Sequence, residues 1–254
     1  MWLPPEISIA GNSIPISSIF WVIGFFFALM LGLFHGRKRG FQVGEMIKIA
    51  LVGFAGALVG GRLGHVHQYW DYFSVHPMEA FFLHEGGMMY LGGLYGGLVT
   101  GIIYCWKRYD LLKVLDLATP SICLGHTFGR IGCFFYGCCY GLEIGKDSLL
   151  PGVVFAGDLA ARYPTQLYSA IGLGLMTIFL CWLYSFSRRP GFVFLSYLAL
   201  YSMMRFSIEF LRDDERGTLF GVNFLSSSQT LSLATLGLLL LVFPIWYRKV
   251  KENS

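Results

Sequence analysis

Residues 14–34 read IPISSIFWVIGFFFALMLGLF and contain no charged side chain. A helix rises about 1.5 Å per residue, so a stretch of this length crosses a hydrocarbon core roughly 30 Å thick. Working outward from it, six further apolar stretches follow along the chain. The seven predicted spans cover 14–34, 46–66, 88–106, 114–135, 165–186, 192–211 and 229–247. The sequence therefore predicts an all-α membrane protein with seven transmembrane helices.

The composition agrees with this prediction. Charged residues make up 13% of the 254 residues, against roughly 25% in soluble domains. The apolar fraction is 55% and the mean hydropathy is +0.60. These values exclude a disordered chain and argue against a soluble enzyme or a nucleic-acid-binding protein. We expect residues 1–254 to form a single integral membrane domain.

Basic residues lie at alternate ends of the predicted spans, which sets the orientation. Since cytoplasmic loops are enriched in Lys and Arg, the clusters mark the cytoplasmic side. The N-terminus is therefore predicted outside and the C-terminus in the cytoplasm, with residues 136–164 forming a small external head. The clusters are Arg37, Lys38, Arg39 and Lys48; Lys107, Arg108 and Lys113; Arg188 and Arg189; and Arg248, Lys249 and Lys251.

Ionisable residues inside the spans are candidates for function, because charge is costly in a bilayer. Counted from the cytoplasmic ends, they lie roughly 20–30 Å from the inner boundary, in the outer third of the membrane. An alternative is that they pair as scaffold or extend to the headgroups. This alternative has most weight for Arg212, and less for Arg130. The residues are Arg62, Arg130, Arg205, Glu209 and Arg212.

Arg130 lies in a glycine-rich segment, GHTFGRIGCFFYGCCYG, over residues 125–141. Glycine lets a backbone approach a ligand closely, and the arginine fork binds phosphate through two hydrogen bonds. The third span opens with a similar segment, GGMMYLGGLYGG, over 86–97. For Gly96 and Gly97 we favour helix packing instead. Together these patterns predict an outward-facing pocket for a phospholipid headgroup.

Six cysteines fall into two groups. Cys105, Cys123 and Cys181 lie in apolar spans and are expected to be small core residues. Cys133, Cys138 and Cys139 cluster beside Arg130, where a disulfide is expected if that end faces an oxidising compartment. A zinc site would need more ligands than His84 and His126 supply nearby. No metal or other cofactor is expected.

The sequence resembles the prolipoprotein diacylglyceryl transferase family. Residues 129–141 resemble the family's signature segment, and residues 86–94 its glycine-rich third-span segment. Three further blocks are similar and occur in the same order. They are GRLGHV at 61–66, YPTQLY at 163–168 and YSMMRFSIEFLR at 201–212.

The resemblance implies a seven-span enzyme of the bacterial inner membrane with its active site facing outward. Such an enzyme transfers diacylglycerol from phosphatidylglycerol to the lipobox cysteine of a prolipoprotein, forming a thioether and releasing glycerol phosphate. Its expected partners are phosphatidylglycerol, the lipobox peptide and membrane lipid, with no nucleic acid. We assign catalysis to Arg130, Arg205 and Glu209. We assign substrate binding to Arg62, Gly92, Gly93, Gly129, Gly132, Gly141, Gln166, Tyr168 and Arg212.

The chain departs from the family pattern at several positions. Leu91 stands where the family usually has a histidine, and Cys133 and Cys138 replace the signature's usual asparagine and glutamate. The tyrosine expected in span one is replaced in that region by Ser17 and Ser18. The catalytic base is left open, and His84 and His126 are preferred over Glu85 and Tyr90. There are two alternatives to this function. One is a transferase that uses a different acceptor, and the other is a protein that binds or transports phospholipid without catalysing a reaction. The candidate bases are His84, His126, Glu85 and Tyr90.

Overall fold

Helices form most of the described chain. The computed structural model describes residues 6–9, 12–82, 87–145, 148, 150–155, 157–213 and 225–252. The helices are α1 Ile16–Lys38, α2 Val43–Gln68, α3 Trp70–Val75, α4 Tyr90–Cys105, α5 Leu111–Tyr136, α6 Thr165–Phe186, α7 Phe192–Glu209 and α8 Ser227–Glu252, with a 3₁₀ helix at Pro77–Phe81. Four short strands complete the elements: β1 Glu6–Ile9, β2 Asn12–Pro15, β3 Val153–Val154 and β4 Ala161–Arg162.

Each predicted span coincides with one helix longer than 15 residues. Within the described residues, four helices are long and apolar enough to cross a membrane: Ile16–Lys38, Val43–Gln68, Thr165–Phe186 and Ser227–Arg248. The apolar part of α4, Gly92–Cys105, is shorter. The helical prediction is confirmed, and the membrane character rests on these helices.

Two local features differ from the prediction. The first helix begins at Ile16 and not at residue 14, because β2 pairs antiparallel with β1 up to Pro15. Proline has no N–H to continue a ladder, so the strand ends there and the helix follows. Between α2 and α4 the chain forms α3 and the 3₁₀ helix. Neither short element was expected from hydropathy.

The chain packs as two compact units, Gly32–Val114 and Met1–Leu31 with Leu115–Ser254. In the first unit, α2 and α4 meet through glycines. A methyl group on Gly60 would lie 2.8 Å from Cα of Gly96, and one on Gly96 would collide with the carbonyl oxygen of Gly56. Small residues allow this approach where lipid offers no hydrophobic drive between helices. The expected packing role of Gly96 is confirmed.

In the second unit, α1 packs on α5 in a similar way. A methyl group on Gly132 would lie 3.2 Å from the carbonyl oxygen of Ser17. The rings of Phe20 and Phe135 stack with centroids 5.1 Å apart. Helix α8 is tied to the start of α7, since Trp246 Nε1 donates to the carbonyl of Pro190 over 2.8 Å.

Helix α5 ends in a Schellman turn. Gly137 has φ of +74°, its N–H donates to the carbonyl of Phe134 and the N–H of Cys138 donates to that of Cys133. This pattern of two reversed hydrogen bonds needs a left-handed residue at the turn, which glycine supplies. The chain then enters a small sheet-like arrangement in which residues 141–144 pair with 161–163 and 211–212.

Candidate anion site on helices α5 and α7

Helices α5 and α7 run side by side in the same direction. Near the start of α5, Asp116 accepts hydrogen bonds from the backbone N–H groups of Gly191 and Phe194. Ten residues further along each helix, the rings of His126 and Tyr201 lie 5.6 Å apart. Both contacts join residues whose numbers differ by 75 (191 − 116 and 201 − 126).

The same difference of 75 separates Arg130 from Arg205. Each arginine lies four residues, about one helical turn, beyond the His126–Tyr201 contact. The two arginines therefore lie at the same level of neighbouring helices. The structure places these two predicted catalytic residues level with each other.

Arg130 has a neutral partner. Its Nε–H donates to Nε2 of His126, 3.2 Å away and four residues earlier on α5. An imidazole nitrogen that accepts a hydrogen bond carries no proton, so the ring is neutral with its proton on Nδ1. Among the described residues, no carboxylate forms an ion pair with Arg130 and its two Nη groups donate no hydrogen bond.

Arg205, by contrast, is paired. Its Nη2 lies 2.6 Å from Oε2 of Glu209 and donates to Ser228 Oγ over 2.9 Å. The other carboxylate oxygen of Glu209 accepts a hydrogen bond from Ser226 Oγ at 2.8 Å. Both charged side chains are largely buried, with 11% and 5% of their surfaces exposed. A buried pair held this way fixes the position of the guanidinium.

Arg212 completes the charged group. Its Nε lies 4.0 Å from Oε2 of Glu209, and its side chain hydrogen-bonds the thiol of Cys139. Hydrogen bonds from the Cys133 and Cys138 thiols, with a smaller contribution from Arg212, hold the pKa of Cys139 well below its usual range. Glu209 thus lies between Arg205 and Arg212 and compensates their charge in part. Arg130 remains the cation of this group without an acidic partner among the described residues.

The three cysteines at the end of α5 are close together. The thiols of Cys133, Cys138 and Cys139 hydrogen-bond one another. All six cysteines of the chain are free thiols, so the disulfide expected in this cluster is not formed. Cys105 and Cys123 are buried, which confirms their expected place in the core, and Cys181 is half-buried.

The predicted glycines have different surroundings. A methyl group on Gly129, the residue before Arg130, would meet nothing within 4 Å, so this glycine faces open space. Gly132 contacts α1, as described above. A methyl group on Gly141 would collide with the carbonyl oxygen of Leu211 and lie 2.8 Å from Cγ2 of Thr165. Packing alone therefore accounts for the glycine at position 141.

Gln166 and Tyr168 hold the chain that follows α5. The Gln166 side chain is fully buried and its Nε2 donates to the carbonyl of Cys138 over 2.6 Å. Tyr168 donates its hydroxyl proton to the carbonyl of Pro151 at 3.0 Å. Both contacts place α6 against this loop, and a role in binding substrate stays a prediction for each.

Arg62 belongs to the unit Gly32–Val114. Its guanidinium donates to the backbone carbonyls of Ala80, Glu79 and Gly87 at 2.8, 2.5 and 3.2 Å. It lines a cavity of about 360 Å³ together with His65, Tyr69, Tyr72, Phe73, Glu79 and Gly87. This geometry makes Arg62 a clamp on the segment after α3.

Gly92 and Gly93 face α2 in the same unit. A methyl group on Gly92 would collide with the carbonyl oxygen of Gly60, and one on Gly93 would lie 3.2 Å from that of Ala57. Substrate binding by these glycines, as by Arg62, stays a prediction.

Comparison with known proteins decides the family. The family model for prolipoprotein diacylglyceryl transferase matches residues 5–246. The chain belongs to this family. A phosphatidylglycerol–prolipoprotein diacylglyceryl transferase from Clostridium tetani is 37% identical over 230 residues, covering 88% of this chain and 89% of that protein. One from Acinetobacter baylyi is 31% identical over 261 residues, covering 98% and 94%.

The two cysteines that depart from the diacylglyceryl transferase signature segment both lie in the thiol cluster. Cys133 is in the last turn of α5 and Cys138 directly follows the Schellman turn. Leu91 lies in the first turn of α4. Of the candidate bases, His126 contacts Arg130, whereas His84 and Glu85 fall outside the described residues.

Several residues important to the fold of this transferase are not predicted from the sequence. Asp116, Ser226 and Ser228 are common polar residues near predicted helix ends, and only their partners distinguish them. Arg162 was treated as part of the head, yet it pairs with Asp158, with Asp213 at 2.5 Å and with Glu143 at 3.4 Å. Asp158, four residues before Arg162, was an available signal in the sequence.

Proposed function

We propose that this chain transfers the diacylglyceryl group of phosphatidylglycerol to the lipobox cysteine thiol of prolipoproteins. The product is a thioether, and glycerol phosphate leaves. The proposal includes seven spans in the bacterial inner membrane, an outer N-terminus, a cytoplasmic C-terminus and an external head at residues 136–164. Family membership and the alternating basic clusters support it.

The observation that carries the proposal is the state of Arg130. Arg130 is half-buried, has no acidic partner among the described residues, lies level with Arg205 and follows Gly129, which faces open space. An arginine with free N–H groups in a partly dry site favours a phosphate oxygen as its ligand. A phospholipid headgroup would supply that oxygen.

The chemistry requires the acceptor thiolate to attack the glyceryl carbon that carries the phosphate ester. The carbon–sulfur bond forms as the carbon–oxygen bond breaks, and the bonding pair goes to the phosphate oxygen. Arg130 and Arg205 would stabilise that developing charge, since preorganised donors act strongly in a water-poor site. Glu209 would hold Arg205 in position.

The thiol proton must be taken by a base, because an unperturbed cysteine has a pKa of about 8.5. His126 supports this role through its neutral ring, but its Nε2 already accepts the Arg130 N–H. It would act as base on release of that bond. His84 is the second candidate.

The substrate-binding set is proposed in two tiers. Gly129, whose Cβ direction faces open space, has surroundings in keeping with direct contact to the phospholipid. The Arg212 side chain is 2% exposed and would act through Glu209, its neighbour. Gly132, Gly141, Gln166 and Tyr168 support the loop and helices around it through the contacts described above. Arg62, Gly92 and Gly93 would act in the other unit.

Turnover tests the reaction directly. Purified protein in vesicles of phosphatidylglycerol receives a lipobox peptide, and release of glycerol phosphate is measured. We expect R130K to lose most activity, because lysine keeps the charge but not the fork. The matched control is R188K, which alters an exposed arginine and should keep wild-type turnover. Equal turnover in R130K would reject the phosphate-binding role of Arg130.

The alternative of a different acceptor needs a separate test, because Leu91, Cys133 and Cys138 depart from the family pattern. Complementation of a strain depleted of its own diacylglyceryl transferase asks whether prolipoproteins are substrates. Failure of the well-expressed chain, with glycerol phosphate release retained on another thiol, would indicate a different acceptor. Absence of release with phospholipid still bound would indicate a binding protein.

A further inference from the structure

The Schellman turn at the end of α5 brings two thiols together. In this motif the residue after the left-handed glycine returns to the residue five positions earlier. Here those positions hold Cys138 and Cys133: the Cys138 N–H donates to the Cys133 carbonyl at 3.2 Å, and its Sγ lies 3.7 Å from the same oxygen. The turn thereby fixes a pair of cysteines in contact.

Cys139 adds a third thiol with different surroundings. Its φ is +64°, a left-handed conformation that is uncommon for a residue other than glycine. Its thiol hydrogen-bonds those of Cys133 and Cys138 and the Arg212 side chain. All three cysteines are partly exposed. A thiol next to a guanidinium and two donors is stabilised as thiolate, the nucleophilic form.

We propose that Cys133, Cys138 and Cys139 form a reversible thiol–disulfide exchange site that closes a Cys133–Cys139 disulfide. The co-reactant is a low-molecular-weight disulfide. The Cys139 thiolate attacks one of its sulfurs, forming a mixed disulfide and releasing one thiolate. Cys133 then loses its proton and attacks the Cys139 sulfur, which releases the second thiolate. Two protein thiols are oxidised and one external disulfide is reduced to two thiols.

Cys133 is the resolving residue for a geometric reason. Cys138 and Cys139 are consecutive, and consecutive Cα atoms lie 3.8 Å apart across a trans peptide. A disulfide usually needs about 4.4–6.8 Å between its Cα atoms. Cys133 hydrogen-bonds Cys139 through its thiol and is not its neighbour in sequence. Cys138 holds the cluster together and is left reduced.

Oxidation at this site would reach the anion site through Arg212. Once Cys139 is in a disulfide it no longer pairs with Arg212, which lies 4.0 Å from Glu209, the partner of Arg205. This consequence rests on the proposed function; the exchange reaction does not. Loss of the hydrogen bond between Cys139 and Arg212 would disturb the series of contacts that leads to Arg205, and would lower transferase turnover roughly tenfold. A dithiol reductant should restore it.

The exchange is tested by mass spectrometry on the full chain in vesicles treated with oxidised glutathione. Free thiols are then alkylated without reductant and the protein is digested with trypsin. Cleavage after Arg130 and Lys146 leaves all three cysteines in one peptide, residues 131–146. We expect that peptide to lose two hydrogens and take one alkyl group, on Cys138. Three alkyl groups after full treatment would overturn the proposal.

Single variants identify the pair. C138S should still close the disulfide, and C133S should stop at a glutathione adduct on Cys139. C139S should form neither, while C181S, in α6, should behave as wild type. A disulfide that persists in C139S and is lost in C138S would overturn the assignment.

The two proposals can fail separately. If the disulfide forms and glycerol phosphate is never released, the exchange site stands without the proposed function. Turnover in oxidised wild type that equals turnover in the reduced protein would overturn the link through Arg212.

Discussion

The carboxylate of Asp116 on α5 accepts the backbone N–H of Gly191 at 2.7 Å and that of Phe194 at 2.9 Å. Asp116 is 6% exposed, so this buried carboxylate satisfies the first free N–H groups of α7 from a neighbouring helix. Gly191 has φ of +89° and makes no side-chain cap of its own. These two hydrogen bonds fix the positions of α5 and α7 along their axes relative to each other. They therefore also fix the relative levels of Arg130 and Arg205.

Replacing Asp116 should loosen both helices. We expect D116A to lower the free energy of unfolding by about 2 kcal/mol, because a buried charge-assisted cap is lost. Turnover should fall as well, since Arg130 and Arg205 lose their common register. D116N should be intermediate, as its amide accepts from one side only. Thermal unfolding in detergent and glycerol phosphate release measure the two effects.

The control for Asp116 is D71A, which alters an exposed carboxylate on α3 that makes no hydrogen bond or ion pair among the described residues. Exposed surface substitutions of this kind change stability little, so D71A should be within about 0.5 kcal/mol of wild type. Equal losses in D116A and D71A would contradict the capping role.

Glu209 should affect turnover more than binding. In E209Q, Arg205 loses its buried carboxylate partner and the site gains positive charge. We expect KM for phosphatidylglycerol to stay equal or fall, and kcat to drop roughly tenfold or more, because positioning and not attraction is lost. Initial rates of glycerol phosphate release over a range of phosphatidylglycerol mole fractions separate the two constants. A raised KM with unchanged kcat would show that Glu209 acts only in binding.

Gly141 should not tolerate a side chain. A methyl group there would collide with the Leu211 carbonyl and lie 2.9 Å from Cβ of Tyr163, and both neighbours are held by backbone hydrogen bonds. We expect G141A to lower the free energy of unfolding by about 2 kcal/mol or more. G145A, whose methyl group would meet nothing within 4 Å, should keep the wild-type transition temperature. Thermal unfolding of the two variants side by side makes the comparison.

The Asp158–Arg162 pair should make residues 157–163 sensitive to acid. A hydrogen bond from Arg162 holds the pKa of Asp158 below its ordinary value. A carboxyl whose folded pKa is lowered adds stability above its unfolded pKa of about 3.9, and that stability is lost as pH falls through the folded value. We expect amide hydrogen exchange in this segment, corrected for intrinsic rates, to increase below about pH 4.

In D158N the same segment should exchange faster at neutral pH and show little further change on acidification. An unchanged pH response in this variant would assign the acid sensitivity to other carboxyls near Arg162, such as Glu143 and Asp213.

Hydropathy was sufficient for the long helices but not for the connections. The predicted span at 114–135 matches α5 closely, because about 20 apolar residues have one low-cost arrangement in lipid. The 3₁₀ helix at Pro77–Phe81 and the pairing of residues 141–144 were missed. Their backbone partners lie far away in the chain, so no local pattern reveals them.

The sequence by itself determined the helical class, the positions of seven long helices, the family and the charged residues Arg130, Arg205, Glu209 and Arg212. Composition and spacing suffice for the helices, and the resemblance of five motif blocks identifies the family. Only the tertiary structure decided which arginine has an acidic partner, which glycines face another backbone and which thiols touch. Those outcomes depend on distances between α5, α6 and α7, and distances across helices are set by packing and caps such as Asp116.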